Sequence, residues 1–276
     1  MKVSPVTPEP VKVENIIRNV AEDIVFPRFQ TLASHEISTK GSGDIVTIAD
    51  EEAEYALGQA LKDLLPGSVV IGEEEIAENP IILNALTGDE PVWVIDPVDG
   101  TQNFANGNTR FAMIVALIYG GKTVAGWIHE PVRDTTVWAL IGEGVYEANK
   151  CLQPNSPKQI DNLIGTLSRF QKERLSAFCI EQNGKQELPK SVEKYGCVGA
   201  EYADLARGNL QYAFYKGTLK PWDHLAGVLI HAESGGYSAL VETRIPLKPD
   251  PKLRRQAMLL APNEDIWHYL LNLLVG

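Results

Sequence analysis

Trp93-Val94-Ile95-Asp96-Pro97-Val98-Asp99-Gly100-Thr101 is an apolar run closed by an aspartate, with a second aspartate three residues later in a segment holding proline and glycine. The run reads as a strand. Two carboxylates so placed can converge on one hard cation, or bridge a pair of ions about 3.5–4 Å apart. Gly100 lets the backbone approach an anion closely, and Thr101 offers a hydroxyl and an amide. A helix or turn starting at Thr101 would aim its free N–H groups at a phosphate. An Asx-turn at a strand end explains Asp99-Gly100 without any ligand, so the segment needs support from elsewhere.

Outward from this stretch, further β-type runs occupy residues 68–71, 92–95, 110–118, 124–129 and 135–141, and Gly120-Gly121 marks a hairpin. Upstream, Val13, Ile16, Ile17, Val20 and Ile24 recur at helical spacing and predict a helix over 11–32, after a loose arm of ten residues. A second helix over 50–65 carries Ala53, Leu57 and Leu61 on one face and stops at Pro66-Gly67. Between them, Lys40-Gly41-Ser42-Gly43-Asp44 has the composition of a flexible loop. Downstream, helices over 201–207, 222–234 and 266–275 are interleaved with strands over 211–215 and 258–260. The pattern gives an α/β (α+β) layered fold whose halves, 1–145 and 146–276, form one compact unit.

Three more acidic positions fall at the ends of these elements. Gly72-Glu73-Glu74-Glu75 follows a short strand, Asp50 opens the second helix, and Asp223 opens another after Pro221-Trp222. Taken singly, a solvated turn and two N-caps account for them. Taken together, four acidic sites at chain reversals describe a centre of hard oxygen ligands. The histidines are scattered, and His224 and His231 read as structural because no acid or thiol joins them at ligand spacing.

Composition narrows the function. A chain of 276 residues with 44% hydrophobic and 22% charged residues builds its core without staples. Its formal charge of -11 argues against a nucleic-acid or anionic-membrane surface. An acidic protein that handles phosphate must also bring cations to the site, from basic side chains or from metal. Cys151, Cys179 and Cys197 show no disulfide or zinc spacing, which fits a reducing compartment. The first fifteen residues hold no apolar h-region and their prolines at 5, 8 and 10 argue against a signal helix, and the longest apolar run, from Phe111 to Tyr119, is too short for a membrane span. A cytoplasmic protein is expected.

Asp44-Ile45-Val46-Thr47-Ile48-Ala49-Asp50, Ile71-Gly72-Glu73-Glu74, the opening stretch extended by Gln102-Asn103-Phe104, and Pro221-Trp222-Asp223-His224-Leu225-Ala226-Gly227 with Glu233-Ser234-Gly235-Gly236 resemble the inositol monophosphatase family. The blocks keep that family's order and cover nearly the whole chain. The resemblance implies a layered α-β-α-β-α sandwich of the sugar-phosphatase type and a lithium-sensitive homodimer. It also implies Mg2+-dependent hydrolysis of a small phosphomonoester by metal-activated water, with two to three ions per site. Carried over residue by residue, it has Glu73, Asp96 and the Val98 carbonyl hold one ion. Asp96, Asp99 and Asp223 hold a second, and Glu73 assists a third through water. Catalysis falls to Asp50, Glu73 and Thr101, with Asp50 bonded to the Thr101 hydroxyl. Substrate binding falls to Asp99, Gly100, Thr101, Cys197, Val198, Lys216 and Asp223, the amides of Gly100 and Thr101 receiving the phosphate.

The match loosens where substrate is chosen. Lys216 stands where inositol-cleaving members carry a glutamate for ring hydroxyls, and Gly196-Cys197-Val198-Gly199 replaces a Gly-Ser/Thr-Ala-Ala turn. Glu193 replaces a frequent arginine, and Gln102 differs from the basic residue of the bisphosphate-nucleotidase and histidinol-phosphatase branches. A lysine only donates and attracts anions, so Lys216 is expected to face the leaving group and favour a second anionic group. A solvent-facing strand lysine is the plain alternative. The expected substrate is inositol-1-phosphate or a related sugar phosphate. The rivals are a bisphosphate (fructose-1,6-bisphosphate or a 3'(2'),5'-bisphosphate nucleotide), histidinol phosphate, and a catalytically silent interaction protein. The presence of Glu73, Asp96, Asp99, Thr101 and Asp223 together counts against the last.

Overall fold

Alternation along the central strands sets the architecture. The computed structural model describes residues 7–40, 44–154, 159–181 and 188–275; Gly41-Ser42-Gly43, most of the N-terminal arm and the Cys179 side chain lie outside the described residues. The chain opens with α1 (Pro10–Val20), the antiparallel ribbon β1 (Ile37–Thr39) and β2 (Ile45–Thr47), and α2 (Ile48–Leu64). It continues through β3 (Val69–Gly72), α3 (Glu73–Glu78), β4 (Val92–Asp99), α4 (Thr101–Ala105) and β5 (Ala112–Tyr119). Then come β6 (Lys122–Glu130), β7 (Thr135–Leu140), β8 (Gly144–Glu147) and β9 (Lys150–Leu152). These strands form one seven-stranded sheet in chain order from β3 to β9, parallel at β3–β4 and antiparallel elsewhere.

The second part runs β10 (Ile164–Leu167), α5 (Arg169–Glu181), β11 (Lys190–Glu193), α6 (Val198–Arg207) and β12 (Tyr212–Thr218). It ends with α7 (Pro221–Glu233), β13 (Tyr237–Leu240), β14 (Arg255–Ala261) and α8 (Glu264–Leu274). Its five-stranded sheet has the order β11-β10-β12-β14-β13.

Both faces of both sheets are covered, which is why the strands read as continuous apolar runs. On β4 and β5, Trp93, Ile95, Met113, Val115 and Leu117 turn to α1 and α2, while Val92, Val94, Ile114, Ala116 and Ile118 turn to α6 and α7. Those two helices meet Ala213, Tyr215, Met258 and Leu260 of the smaller sheet. Its other face, with Tyr212, Phe214, Ala257 and Leu259, packs on α5 and α8. The layers are therefore α-β-α-β-α.

Three expectations shift. The helix expected over 11–32 stops at Val20 and passes through a π turn (Ala21–Val25) into a 3-10 turn (Phe26–Arg28). Pro27 lacks the N–H that would extend it and restrains the residue before it. The strand expected to end near Ile95 runs on to Asp99, and its register with β5 shifts between Asp96 and Asp99. Pro97 cannot donate to the ladder, and the resulting irregularity re-aims the strand end that carries both carboxylates. The division expected at residue 145 falls inside the first sheet, because β8 and β9 continue that sheet to Leu152.

The middle helix layer is pinned at two points along α7. At its C-terminal end, Glu233 accepts from the amides of Gly142 (2.8 Å) and Gly144 (3.0 Å) in the β7–β8 turn. Midway, α7 lies so close to β6 that a Cβ on Gly126 would meet Ala226 Cα at 2.9 Å and its carbonyl oxygen at 3.0 Å. Backbone cannot yield as a side chain does. Gly126→Ala should therefore cost about 1–3 kcal/mol, the usual range for overpacking, read as a lower midpoint in chemical denaturation. Ala226→Gly in the same background should recover part of it. An unchanged midpoint in the single variant would show that α7 can move off the sheet freely.

Candidate active site

The ends of β3, β4 and α7 meet in one cavity of about 240 Å³ lined by Glu73, Asp96, Val98, Asp99, Gly100, Thr101, Asp223 and Lys220, among others. Carboxylate oxygens of Glu73, Asp96 and Asp223 all lie within 4.8 Å of one another. Local structure explains the convergence. Gly72 precedes α3, so Glu73 is its first residue, and Asp223 sits in the first turn of α7 behind Pro221. Helix N-termini favour negative charge. Asp50 and Asp223 are each the third helical residue, not the N-cap; Thr47 and Lys220 hold the N-cap positions.

The neighbouring carboxylates are each tied down. Thr47 donates to Asp50 Oδ2 through its amide (2.8 Å) and its hydroxyl (2.5 Å), closing a capping box. The Thr101 hydroxyl lies 3.1 Å from Asp50 Oδ1 and 2.9 Å from the Val98 carbonyl, so the pairing of Asp50 with Thr101 is present. Asp99 lines the same cavity, but its carboxylate is gripped by the start of α6. It accepts from Gly199 N (2.5 Å), Val198 N (3.1 Å) and Cys197 Sγ (2.9 Å). Cys197 and Val198 thus reach the site through Asp99. Gly100 has φ 86°, and a Cβ there would meet the Gly196 carbonyl oxygen at 3.0 Å and Cys197 Cβ at 3.1 Å. Only glycine fits that position.

Lys216 is not brought to this cavity. Strand alternation puts it on the same face of β12 as Tyr212 and Phe214, toward α5 and α8, and it lines a separate cavity. The structure instead supplies two cations that sequence reasoning missed. Lys220 Nζ is 3.1 Å from Glu73 Oε1, and Lys40 Nζ is 2.6 Å from Glu74 and 3.8 Å from Glu73. Lys220 abuts the Pro221-Trp222-Asp223 block, which was its signal in the sequence. Glu54 was also missed: it accepts the amides of Glu74 (2.8 Å) and Glu75 (2.9 Å) and so orients α3. His224 and His231 stay outside the site, bonded to the Tyr202 hydroxyl (3.2 Å) and the Ala261 carbonyl (3.1 Å).

Burial governs the titration. It pushes Asp50 and Glu54 up to about 7 and Asp99 up to about 6, against the hydrogen bonds that favour their ionised forms. Asp96 and Asp223 rise well above the ordinary range, first through burial and then through repulsion from Glu73 and Asp99. Burial would lower Lys220, but Glu73 and Asp223 beside it raise it instead. Hard oxygen donors, close together and reluctant to ionise alone, suit a divalent cation.

A carboxylate with a raised folded pKa holds its proton more tightly when folded, so its contribution to stability is lost as pH rises through that value. Asp50 and Glu54, at about 7 when folded, lose that contribution between about pH 4 and 7, and Asp96 and Asp223, raised further, carry the loss to higher pH. Buried His129, His224 and His231, pushed down to about 4, 3 and 4, act oppositely and cost stability as pH falls below the unfolded value of about 6.5. The raised carboxylates Asp50, Glu54, Asp96, Asp99 and Asp223 outnumber the three histidines, so the melting temperature in EDTA should fall as pH rises from about 5 to 8. A melting temperature that climbs steadily from pH 6 to 8 would contradict this balance.

The family profile described as "Inositol monophosphatase family" matches residues 9–272. The inositol-1-monophosphatase of Caulobacter vibrioides is 30% identical over 243 residues, covering 86% of this chain and 90% of that protein. The fructose-1,6-bisphosphatase/inositol-1-monophosphatase of Aquifex aeolicus is 27% identical over 234 residues, covering 84% and 85%. Among solved structures, the Thermotoga maritima IMPase superposes with a TM-score of 0.75 at 20% identity, covering 95% of this chain and 94% of that one, and so supports the fold. With its acidic cavity, its five layers and its near-full-length profile match, this chain belongs to the inositol monophosphatase family and is a phosphomonoesterase.

Proposed function

We propose that this protein hydrolyses a small phosphomonoester, inositol-1-phosphate or a related sugar phosphate, with Mg2+ held by the acidic cavity. The observation that carries the reading is the convergence of Glu73, Asp96 and Asp223 within 4.8 Å, beside the tight Gly100-Thr101 turn. These three side chains, with the Val98 carbonyl and Asp99, are the groups that would hold two to three ions. When bound, Mg2+ supplies Lewis acidity toward water and toward the phosphoryl oxygens.

The chain's own residues do the rest. Gly100 and Thr101 offer backbone amides to the phosphate at a position where no side chain fits. Thr101 stands between the cavity and Asp50, and Asp50, poised near 7, can hold the proton lost by attacking water, relayed through the Thr101 hydroxyl. Lys220 pairs with Glu73 and brings positive charge to the cavity wall. The start of α6 fixes the direction of Asp99, which lines the same cavity. A bisphosphate substrate is the second reading, favoured by the two-activity name of the Aquifex relative. A cytoplasmic homodimer is the inferred setting, and sedimentation at the mass of one chain would contradict it.

Phosphate release from inositol-1-phosphate and fructose-1,6-bisphosphate should need Mg2+ and vanish in EDTA. Asp96→Asn should lower kcat/KM by roughly a hundredfold or more, the scale of losing charge stabilisation in the transition state. Asp50→Asn should lower kcat by about 10²–10⁴ with little change in KM, as for a lost general base. Near-normal turnover by a folded Asp96→Asn protein would overturn the reading.

A further inference from the structure

A second cavity, of about 580 Å³, lies between α5, the ends of β12 and β14, and the close of α8. It shares no lining residue with the acidic cavity. Register explains its charge. Lys216 pairs with Ala257, and Arg255 pairs with Thr218, so Lys216 and Arg255 are diagonal neighbours on one face of the sheet. Diagonal cross-strand positions are about 7–8 Å apart, within reach of long side chains, and like charges there repel.

The other charged groups of the cavity are already engaged. Lys194 is paired with Glu201 at 2.7 Å, Arg174 donates to the Val275 carbonyl at 2.8 Å, and Glu242 accepts the Ala257 amide at 3.1 Å. Lys216 and Arg255 have no ion-pair partner among the described residues. Two unmatched cations side by side are unusual in a chain whose formal charge is -11. Beside them the cavity is apolar. Phe170, in the first turn of α5, is 67% exposed, and Phe214, Leu274 and Val275 complete the wall. An exposed aromatic face next to free cations suits a ring that bears an anionic group, because stacking and charge-assisted hydrogen bonds then act together.

We propose that this cavity is a second ligand site, distinct from the acidic cavity, that binds a small aromatic anion such as an aryl phosphate or aryl phosphonate. Lys216 and Arg255 take the anionic group and Phe170 takes the ring.

Phenylphosphonate is a suitable probe because its C–P bond resists hydrolysis. The full-length protein is stripped with EDTA, so that the acidic cavity repels a dianion, and binding is followed by calorimetry and by ligand-detected NMR. Saturable binding is expected, with benzyl alcohol at least about tenfold weaker, since it lacks the charge. Lys216→Met with Arg255→Met should weaken phenylphosphonate about tenfold or more, while Phe170→Ser should weaken it but leave inorganic phosphate unaffected. All three side chains are exposed, so folding should persist; if the double variant melts early, Lys216→Gln alone must still weaken binding. No saturable binding, equal binding of benzyl alcohol, or unchanged affinity in the folded variants would overturn the proposal. Each of those results leaves the hydrolytic reading intact, and a failed phosphate-release assay leaves this one intact.

Discussion

Repulsion among carboxylates at the seam of β3, β4 and α7 is the constraint around which the rest of the molecule is arranged. Glu73, Asp96 and Asp223 bring oxygens within 4.8 Å of one another, and Asp96 is all but removed from solvent. Charges that close interact strongly where water cannot screen them. Every nearby feature reduces the cost without removing it. Lys220 and Lys40 flank Glu73, the α6 amides hold Asp99, and Thr47 holds Asp50. Asp96 receives only the Val98 amide, at 3.2 Å, among the described residues. The deficit is therefore greatest at the residue placed deepest.

That deficit is tolerable because the surrounding layers are rigid. The sheet from β3 to β9 is sandwiched between two helix layers, and α7 cannot slide, since Gly126 leaves no gap at Ala226 and Glu233 locks the far end. Asp223 consequently meets Asp96 and Glu73 although it comes from the other half of the chain. A site assembled from the N-termini of α3 and α7 and the end of β4 gains orientation from three elements whose packing lies elsewhere. Such preorganisation is what lets acidic groups wait close together for a cation.

Much of this was legible in the sequence, and the reasons differ by residue. The central strands were visible because both faces are buried, and Gly120-Gly121 marked the β5–β6 hairpin. Asp96, Asp99, Glu73 and Asp223 were found because acids at element ends stand out against apolar runs. Three things were hidden. Pro27 sits in the 3-10 turn that closes the helical stretch expected to reach residue 32, and the apolar spacing as far as Ile24 did not show the change of helix type after Val20. Glu54 sits on a helix face that is polar anyway, so its role in capping α3 depends on a tertiary contact. Lys216 was placed by the family position it occupies, but side-chain direction on a strand obeys a period of two, and the count from Phe214 sends it to the opposite side of the sheet.

The central claim is that these buried carboxylates form a cation site that is protonated in part when empty. Calorimetric titration of the EDTA-stripped protein with Mg2+ at about pH 7, in two buffers of different ionisation enthalpy, tests it most directly, because metal binding to such a site must release protons. The account predicts saturable binding with net proton release, both lost in Asp96→Asn. Binding without proton release, or equal binding by the variant, would contradict it.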